Sequence, residues 1–239
     1  MDPHSGPAGE LVGEPPLPPR QRWRLVLARS PDAPELTGRE LAEAWDKALE
    51  ASGLPVHRAA GQARARVVWG APLPSRMAAE REPAEILLTE AVPLWRVREA
   101  LTAHMPDGWN LVDLHDVWLG APALAGRVSG AVYRVTLDGG PGADAIQAAA
   151  SGLLEARQLI RTRVKGGASV AYDLRPLLAD IGVVGAGPAI VLRVETRVLP
   201  ERGSGRPEEV VAALAERFGH SLSTASILRE RLTITDEPG

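Results

Sequence analysis

The most constraining feature of this chain is an order of predicted strands and helices that occurs twice. Residues 21–120 read as strand, helix, strand, strand, helix, strand, and residues 130–235 can be read in the same order. A βαββαβ unit of this kind is the ferredoxin-like plan. We therefore expect an α+β fold of tandem ferredoxin-like units, with antiparallel sheets and with the helices packed on one face. The expected divisions are a disordered Pro- and Gly-rich arm (1–21), a first unit (22–125) and a second unit with an extra hairpin (126–239).

Composition limits the kinds of protein that this chain can be. Of its 239 residues 45% are hydrophobic, which is enough for one large core or two small ones. The net charge of −3 gives no overall attraction to nucleic acid, so an RNA-binding surface would have to be a local patch. The lack of Cys excludes disulfides, Cys-ligated metal centres and a Cys nucleophile. No apolar run approaches the ~20 residues that span a bilayer, and the first residues lack a signal-peptide pattern, so we expect a cytoplasmic protein.

In the first unit, local signals predict two helices between four strands. Thr37 can cap the first helix, and Glu40 three residues later can complete a capping box. Pro93 suits the first turn of the second helix. The strands are expected at residues 23–29, 65–69, 85–90 and 109–118, with a long loop before residue 85.

In the second unit, the pattern predicts a strand at 159–165 that turns at Gly166-Gly167 and pairs back with residues 170–174 as a hairpin. Pro207 suits the first turn of the last helix. Residues 182–187 (GVVGAG) are expected to form a turn, because a strand and not a helix follows them. The remaining elements are a helix at 144–156 and strands at 130–137, 190–199 and 227–234.

Histidine is the first residue type to consider for catalysis, and two of the five histidines have informative neighbours. His57 is followed by three arginines between residues 58 and 66, and a His beside arginines is the minimal equipment for acid–base cleavage of RNA. His115 shares a strand face with Asp113, so these two side chains could orient each other or bind a metal. Each can equally be an ordinary surface histidine. We predict no catalytic residue, no metal and no cofactor, and keep His57 as a weak acid–base candidate.

The stronger binding signal is a basic stripe in the second unit. Arg161, Arg163 and Lys165 alternate, so they share one face of a strand. Like charges in a row repel unless acids or phosphates neutralise them, and Arg binds phosphate with two parallel hydrogen bonds. Phosphate binding is therefore one interpretation, and salt bridging to nearby acids is the other. The nearby acids are Glu155, Asp173, Glu195 and Glu230.

Aromatic side chains give little support to base stacking, the usual way in which proteins read single-stranded RNA. Trp45 and Trp95 are expected to pack helices against the sheet. Trp69 and Trp118 lie at strand ends, and either could be exposed.

Short runs in both halves carry a family resemblance. In the first half they are WRLVLARS, DKALEASGLPV, the APLP segment at 71–74 and Ala84-Glu85. In the second half they are residues 172–176 (YDLRP), 205–210 (GRPEEV) and 227–229 (ILR). Through these runs, about residues 22–235 resemble the bacterial radical-SAM-linked proteins. That family is a domain of unknown function that stands alone or follows a cobalamin-binding radical-SAM protein.

The chain departs from this family at two places in its first half. Members carry Ser-His-Leu-Asp where this chain has Leu36-Thr37-Gly38-Arg39, and Gly-Phe-Asn-Pro-His-Pro where it has residues 60–66 (AGQARAR). No first-half site can therefore be transferred. In the second half, the resemblance implies ligand or phosphate contacts. The residues concerned are Asp173, Arg175, Arg206 and Arg229.

Taken together, these patterns predict an accessory protein of radical-SAM or RNA (tRNA or rRNA) metabolism that binds RNA without catalysis. Two alternatives are a metal-independent endoribonuclease that uses His57, and a protein-interaction scaffold for a radical-SAM partner. RNA and a radical-SAM protein are the expected partners, and we expect no DNA or membrane partner. The predicted ligand- or phosphate-binding residues are Arg161, Arg163, Lys165, Asp173, Arg175, Arg206 and Arg229.

Overall fold

A computed structural model of the chain describes residues 17–59, 64–165 and 167–235, without the side chains of residues 164 and 165. The predicted arm up to residue 16, the first four residues of the 60–66 run and Gly166 of the predicted turn lie outside the described residues. Within them the fold is α+β, with four α-helices and a large, mostly antiparallel sheet.

Each half of the chain contains two α-helices that lie between strands. The helices are α1 (Gly38–Ala51), α2 (Leu94–Ala103), α3 (Ala143–Glu155) and α4 (Pro207–Phe218). The strands of the first half are β1 (Gln21–Arg29), β2 (Val68–Trp69), β3 (Ala78–Leu88) and β4 (Trp109–Val117). The strands of the second half are β5 (Val128–Leu137), β6 (Ile160–Lys165), β7 (Ala168–Asp173), β8 (Leu178–Ala186), β9 (Ile190–Leu199), β10 (Gly203–Ser204) and β11 (Thr224–Ile234).

One nine-stranded sheet runs through both halves, in the order β10-β9-β5-β11-β3-β1-β4. In addition, β2 pairs with β3 and β8 pairs with β9, while β6 and β7 form a separate hairpin. The strands β11 and β3 are parallel and join the two halves, with Leu228 opposite Ala78 and Arg229 opposite Ala79. We call this junction the seam. Within each half the strands of this sheet pair antiparallel, as expected, and the parallel seam joins the two halves into a single sheet.

The seam forms because β3 is longer than its sequence pattern indicates. It begins at Ala78, seven residues before the predicted start, so part of the predicted loop is strand. The predicted strand at 65–69 pairs only through Val68 and Trp69, which lie opposite Glu85 and Ala84. The rest of that edge of β3 would expose unpaired backbone groups, and β11 pairs with them.

Local signals place the helix ends correctly. The Thr37 hydroxyl accepts a hydrogen bond from the backbone N–H of Glu40 (3.3 Å), and the Glu40 carboxylate accepts one from the N–H of Thr37 (2.8 Å). This capping box is the predicted one. Pro93 directly precedes α2, and Pro207 is the first residue of α4. Gly219 ends α4 with a φ of 69°, a conformation that glycine adopts readily.

Each half has its own hydrophobic cluster on the helix-bearing face of the sheet. In the first half, Trp23, Leu25 and Leu27 of β1 pack with side chains of α1 and α2. In the second half, Val135 and Leu137 of β5 pack with side chains of α3 and α4. On the opposite face of β1, the first two alternate residues are charged: the Glu85 carboxylate pairs with Arg22 (2.5 Å) and with Arg24 (2.7 Å).

Two further expectations need correction. The GVVGAG run belongs to β8 up to Ala186, because backbone pairing with β9 needs no particular side chains. Trp45 is buried as expected, but Trp95 in the first turn of α2 is 65% exposed, and Leu94 beside it is also exposed. Helical periodicity identifies the apolar face of α2, but not how far along the helix that face is covered.

Candidate functional site

A cavity of about 590 Å³ lies where the two halves meet, beside the seam. Its walls come from the loop before β3, from β5 and from the first turn of α4. We call it the seam cavity. Three of the runs that carry the family resemblance border it: APLP at 71–74, GRPEEV at 205–210 and ILR at 227–229. The tertiary structure thus brings together runs that are far apart in the sequence.

Arg229 forms part of the wall of this cavity, where it is tied to the first half of the chain. Its Nε and Nη2 each donate a hydrogen bond of 2.6 Å to the carboxylate of Glu82, and both side chains are buried. Its Nη1 donates to the carbonyl of Pro72 (3.1 Å). Burial lowers the pKa of Arg229, but Glu82 more than offsets this, so the net pKa of Arg229 is raised and its guanidinium stays charged. The predicted phosphate contact of Arg229 would have to compete with a buried carboxylate.

Tyr133 is the cross-strand neighbour of Arg229 and also lines the cavity. Its side chain is buried, and this burial raises the pKa of its hydroxyl. Tyr133 therefore presents a neutral hydroxyl to the cavity at neutral pH. Sequence reasoning missed this residue, because its position on an apolar strand indicates only a core side chain.

The first turn of α4 forms the mouth of the seam cavity. A Cβ on Gly205 would lie 2.6 Å from the carbonyl oxygen of Leu177, so this position has room only for glycine. The next residue, Arg206, precedes the helix and is exposed. Its guanidinium has no salt bridge among the residues that the structure describes. Of the residues transferred from the resemblance, Arg206 is the one whose charge is available to a ligand.

The β6–β7 hairpin, which carries the predicted basic stripe, packs beside this turn. Arg161 is bound by two carboxylates of α4, Glu209 at 3.3 Å and Glu216 at shorter range. Arg163 lies over the ring of Tyr172 on β7, with its guanidinium carbon 4.8 Å from the ring centre. The Nε of Arg163 is buried and has no hydrogen-bond partner within the described part of the chain. The side chain of Lys165 lies outside the described residues.

Asp173 and Arg175 hold the base of this hairpin. The Asp173 carboxylate accepts hydrogen bonds from the backbone N–H groups of Leu159 (2.8 Å) and Arg175 (3.0 Å). The Arg175 guanidinium donates to the carbonyls of Leu154 (2.8 Å) and Leu178 (3.2 Å). In these contacts both side chains hold the backbone at the base of the hairpin in position. The YDLRP run therefore has a structural role here.

His57 and the arginines that follow it contact different groups. The Nδ1 of His57 is 3.0 Å from the carbonyl oxygen of Leu17, which requires a hydrogen on Nδ1 and leaves Nε2 as the basic nitrogen. The arginines that follow His57 interact with acids of α1: Arg58 with Asp46 (3.1 Å) and Arg64 with Glu43 (2.9 Å). The endoribonuclease alternative stays a prediction with no additional support from these contacts.

His115 and Asp113 form the pair that their strand spacing indicates. The His115 Nε2 lies 3.3 Å from the Asp113 carboxylate. A backbone hydrogen bond from Leu114, together with the nearby His115 and Arg98, lowers the pKa of Asp113. Across residues 17–59, 64–165 and 167–235, no group of three or more His, Asp or Glu side chains is arranged to hold a metal ion.

The APLP segment is the common wall of three cavities. Leu73 lines the seam cavity, a cavity of about 330 Å³ at the start of α1 and an aromatic-lined cavity of about 500 Å³. The two segments where the sequence departs from the pattern expected from the resemblance also border these cavities, through Thr37 at the first and Arg66 at the second. Segments that are far apart in the sequence therefore surround Leu73, a relationship that no local pattern indicates.

Solved structures show only a remote likeness to this chain. A chain in the crystal structure of a Cbf5–Nop10–Gar1 complex is 12% identical, with a TM-score of 0.49, over 87% of this chain and 49% of its own length. A chain in the structure of an H/ACA RNP bound to a substrate RNA containing 2′-deoxyuridine is 10% identical, with a TM-score of 0.46, over 87% and 47%. A chain of the archaeal box H/ACA sRNP Nop10–Cbf5 complex is 10% identical, with a TM-score of 0.44, over 86% and 46%. This chain thus spans about half the length of each, and a likeness at this level supports no conclusion about function.

Two further comparisons concern sequence and membrane insertion. None of the helices in the described ranges is long and apolar enough to cross a membrane. No curated protein matches the chain. The family described as "Uncharacterized protein conserved in bacteria (DUF2344)" matches residues 22–207, which include the APLP segment, Arg163 and Arg206. Because this match covers more than half of the 239 residues, the chain belongs to that bacterial family.

Proposed function

We propose that this chain is a non-catalytic accessory protein of RNA metabolism, and that it holds RNA phosphates between the β6–β7 hairpin and the first turn of α4. One observation carries the proposal. Arg206 lines the seam cavity, Arg163 and Arg206 both lie near Tyr172, and neither has a carboxylate partner among the described residues.

Three of the other predicted basic residues are bound to groups of the protein itself, which limits the proposed phosphate site to two arginines. Arg161 is neutralised by acids of α4, Arg229 is neutralised by Glu82, and Arg175 binds backbone carbonyls. Arg163 and Arg206 each keep a positive charge that no carboxylate of the described residues neutralises. Guanidinium groups bind phosphate oxygens through two parallel hydrogen bonds. A site with two cations suits contact with a single strand, where affinity is modest and depends on salt.

We further propose that each half is a ferredoxin-like unit. The supporting observation is the strand order, which is β4-β1-β3-β2 in the first half and β11-β5-β9-β8 in the second. When the β6–β7 hairpin and the short strand β10 are left out of the second half, both orders place the first strand of the half between its fourth and its third strand. The divisions at residues 22–125 and 126–239 follow from this proposal. A link to radical-SAM proteins and a cytoplasmic location also belong to the proposal, through the family resemblance.

The test is binding of a fluorescein-labelled single-stranded RNA, measured by fluorescence anisotropy at about 50 and about 200 mM salt. The double variant Arg163→Gln/Arg206→Gln should bind more weakly than the unchanged chain. The slope of log affinity against log salt should become less steep by about 1.4, because each lost phosphate contact removes about 0.7.

The matched control is Arg81→Gln/Arg231→Gln, which removes the same charge. These two exposed arginines face each other across the seam and have no salt bridge within the described residues. The control should bind RNA like the unchanged chain. Equal losses in both double variants, or binding that does not respond to salt, would reject the proposed site.

A second candidate function, docking on a protein partner, is favoured by a group of exposed apolar side chains at one end of the sheet. Trp118 directly follows β4 and is 78% exposed. Arg22, at the start of β1, lies opposite Val117, so the chain before β1 ends at the same sheet end. The strand β3 also ends at this end of the sheet, and α2 begins six residues later. The exposed side chains of this end patch are Leu17, Leu94, Trp95, Trp118 and Leu119.

A partner of the cobalamin-binding radical-SAM class is the occupant that the family resemblance implies for this patch. Exposed tryptophans are frequent centres of binding energy at interfaces. Binding of such a purified partner, measured by calorimetry, should weaken about 30-fold or more in Trp118→Ser. Val184→Ser alters another exposed apolar residue, which lies on β8 away from the end patch, and should bind normally. Unchanged binding by Trp118→Ser would reject this candidate.

A further inference from the structure

The aromatic-lined cavity lies on the other side of the APLP segment from the seam cavity. It has a volume of about 500 Å³, between α1 and the chain around β2. Trp45, Trp69 and Trp109 contribute to its lining, and their ring centres lie 5.2 to 5.9 Å from one another. We call it the tryptophan cavity. Its volume falls in the range of small-molecule sites, about 300–1,000 Å³.

The three tryptophans differ in how much of each side chain is exposed. Trp45 and Trp109 are buried in the first hydrophobic cluster, whereas Trp69 is only half-buried and packs against that cluster. The edge-to-face contact of Trp69 with Trp45 and its tilted contact with Trp109 hold its ring in a fixed position. A partly exposed indole that is held by buried neighbours is a suitable surface for stacking a planar ring.

The polar groups of the cavity suit a nucleotide better than a purely apolar ligand. Arg66 lines the cavity, is exposed, and has no salt bridge to any described residue, so its charge is available to a phosphate. The Nε1 of Trp45 is buried and has no hydrogen-bond acceptor in the described part of the chain. A nucleobase offers ring nitrogens and carbonyl oxygens as acceptors, and its phosphate offers a partner for Arg66.

The position of the cavity relates it to the proposed RNA site. Pro72 and Leu73 line both the tryptophan cavity and the seam cavity, so one short segment separates the two. A single strand held at Arg206 would therefore need to cross only this segment to place a base among the tryptophans.

From these observations we infer that the tryptophan cavity binds a nucleotide, with the base stacked on Trp69 and the phosphate at Arg66. The further statement that this nucleotide belongs to an RNA strand rests on the proposed function. The inference that the cavity binds a nucleotide rests only on the residues that line it. Stacking of a base on an aromatic side chain contributes about 1–3 kcal/mol, which corresponds to about 5- to 150-fold in affinity.

The experiment is calorimetric titration of the full chain with adenosine 5′-monophosphate, with adenosine and with a short single-stranded RNA. Trp69→Leu should weaken binding of the monophosphate and of adenosine by about 5- to 150-fold. Arg66→Gln should weaken binding of the monophosphate but not of adenosine. Trp118→Leu removes an exposed tryptophan outside the cavity and should bind both like the unchanged chain.

The outcomes separate this inference from the proposed function. If Arg163→Gln/Arg206→Gln weakens RNA binding but leaves monophosphate binding unchanged, the two sites are distinct as inferred. If the monophosphate binds at Trp69 but RNA does not bind, the cavity is a site for free nucleotides and the RNA proposal fails alone. If the unchanged chain binds neither adenosine nor the monophosphate, or if Arg66→Gln weakens both equally, the inference is overturned. Arg66 is exposed, so this second criterion holds even if Trp69→Leu does not fold.

Discussion

Arg229 of β11 and Glu82 of β3 form a buried ion pair across the seam, with two hydrogen bonds of 2.6 Å between the guanidinium and the carboxylate. The two residues are 147 positions apart in the sequence. A buried charge without its partner is far more costly than the pair is stabilising. This pair therefore makes pairing of the two halves specific: sliding β11 along β3 would leave both charges buried and unmatched.

Removing one partner of this pair should destabilise the protein strongly. Glu82→Met leaves the Arg229 charge buried, and we expect the free energy of unfolding to fall by about 3–5 kcal/mol. The double variant Glu82→Met/Arg229→Met removes both charges and should recover most of this loss. Urea unfolding measures both variants.

The exposed pair Arg76–Glu35 is the control for this experiment. Because both of its side chains are solvated, Arg76→Met should change the free energy of unfolding by at most about 1 kcal/mol. A double variant at Glu82 and Arg229 that is no more stable than the single variant would contradict the proposed role of the pair.

Gly205 should not tolerate even one added methyl group. An alanine Cβ there would lie 2.6 Å from the Leu177 carbonyl and 2.9 Å from the Thr196 Cβ. Gly205→Ala should therefore lower the free energy of unfolding by about 1–3 kcal/mol and shift the first turn of α4 that carries Arg206. Thermal unfolding gives the first quantity, and RNA affinity reports the second.

Gly142, which directly precedes α3, is the matched control for Gly205. A Cβ added to it meets nothing within 4 Å, and its φ of −59° is open to any residue. Gly142→Ala should change the free energy of unfolding by less than about 1 kcal/mol. Equal effects of the two substitutions would show that crowding at Gly205 is not the cause.

Both tyrosines should ionise at higher pH than an exposed tyrosine. Burial raises the pKa of Tyr133 and of Tyr172 above the ordinary value of 10.0. Because folding favours the neutral form, this contribution to stability is fully present below pH ~10 and is lost as the pH rises through the folded pKa values. Phenolate absorbance during an alkaline titration measures the midpoints, and Tyr172→Phe isolates Tyr133. A midpoint at or below the ordinary value for Tyr133 would contradict its burial.

The capping box of α1 should contribute measurably to stability. Thr37→Ala removes the hydroxyl that accepts from the Glu40 N–H, and we expect a loss of about 1 kcal/mol in the free energy of unfolding. Thr102→Ala changes an exposed threonine within α2 and serves as the control, with an expected change within about 0.5 kcal/mol. A similar loss in both variants would indicate a general effect of threonine removal.

The residues that sequence analysis placed correctly are those whose structure depends on near neighbours. Thr37 and Glu40 form the predicted capping box, and Pro207 begins the predicted helix. The basic strand pairs back as the predicted hairpin. In each case the partners are a few positions apart, so the pattern contains both sides of the interaction.

Predictions that depended on distant partners were less successful. The sequence of β3 from Ala78 to Pro83 is polar enough to read as a loop, and only its pairing with β1 and β11 makes it a strand. The arginines of the basic stripe could equally have bound phosphates or acids. Arg161 binds two acids of α4, whereas Arg163 does not, and their shared alternation could not distinguish them.

By itself, the sequence determined the helices, the extra hairpin and the membership of the bacterial family that matches residues 22–207. Only the tertiary structure decided that the halves share one sheet, that Arg229 is neutralised while Arg206 is not, and that three tryptophans surround one cavity. The physical reason is the range of the interactions. Caps and turns are set by hydrogen bonds between near neighbours, whereas the availability of a charge or a ring is set by groups that are distant in the sequence, such as Arg229 and Glu82, which are 147 positions apart.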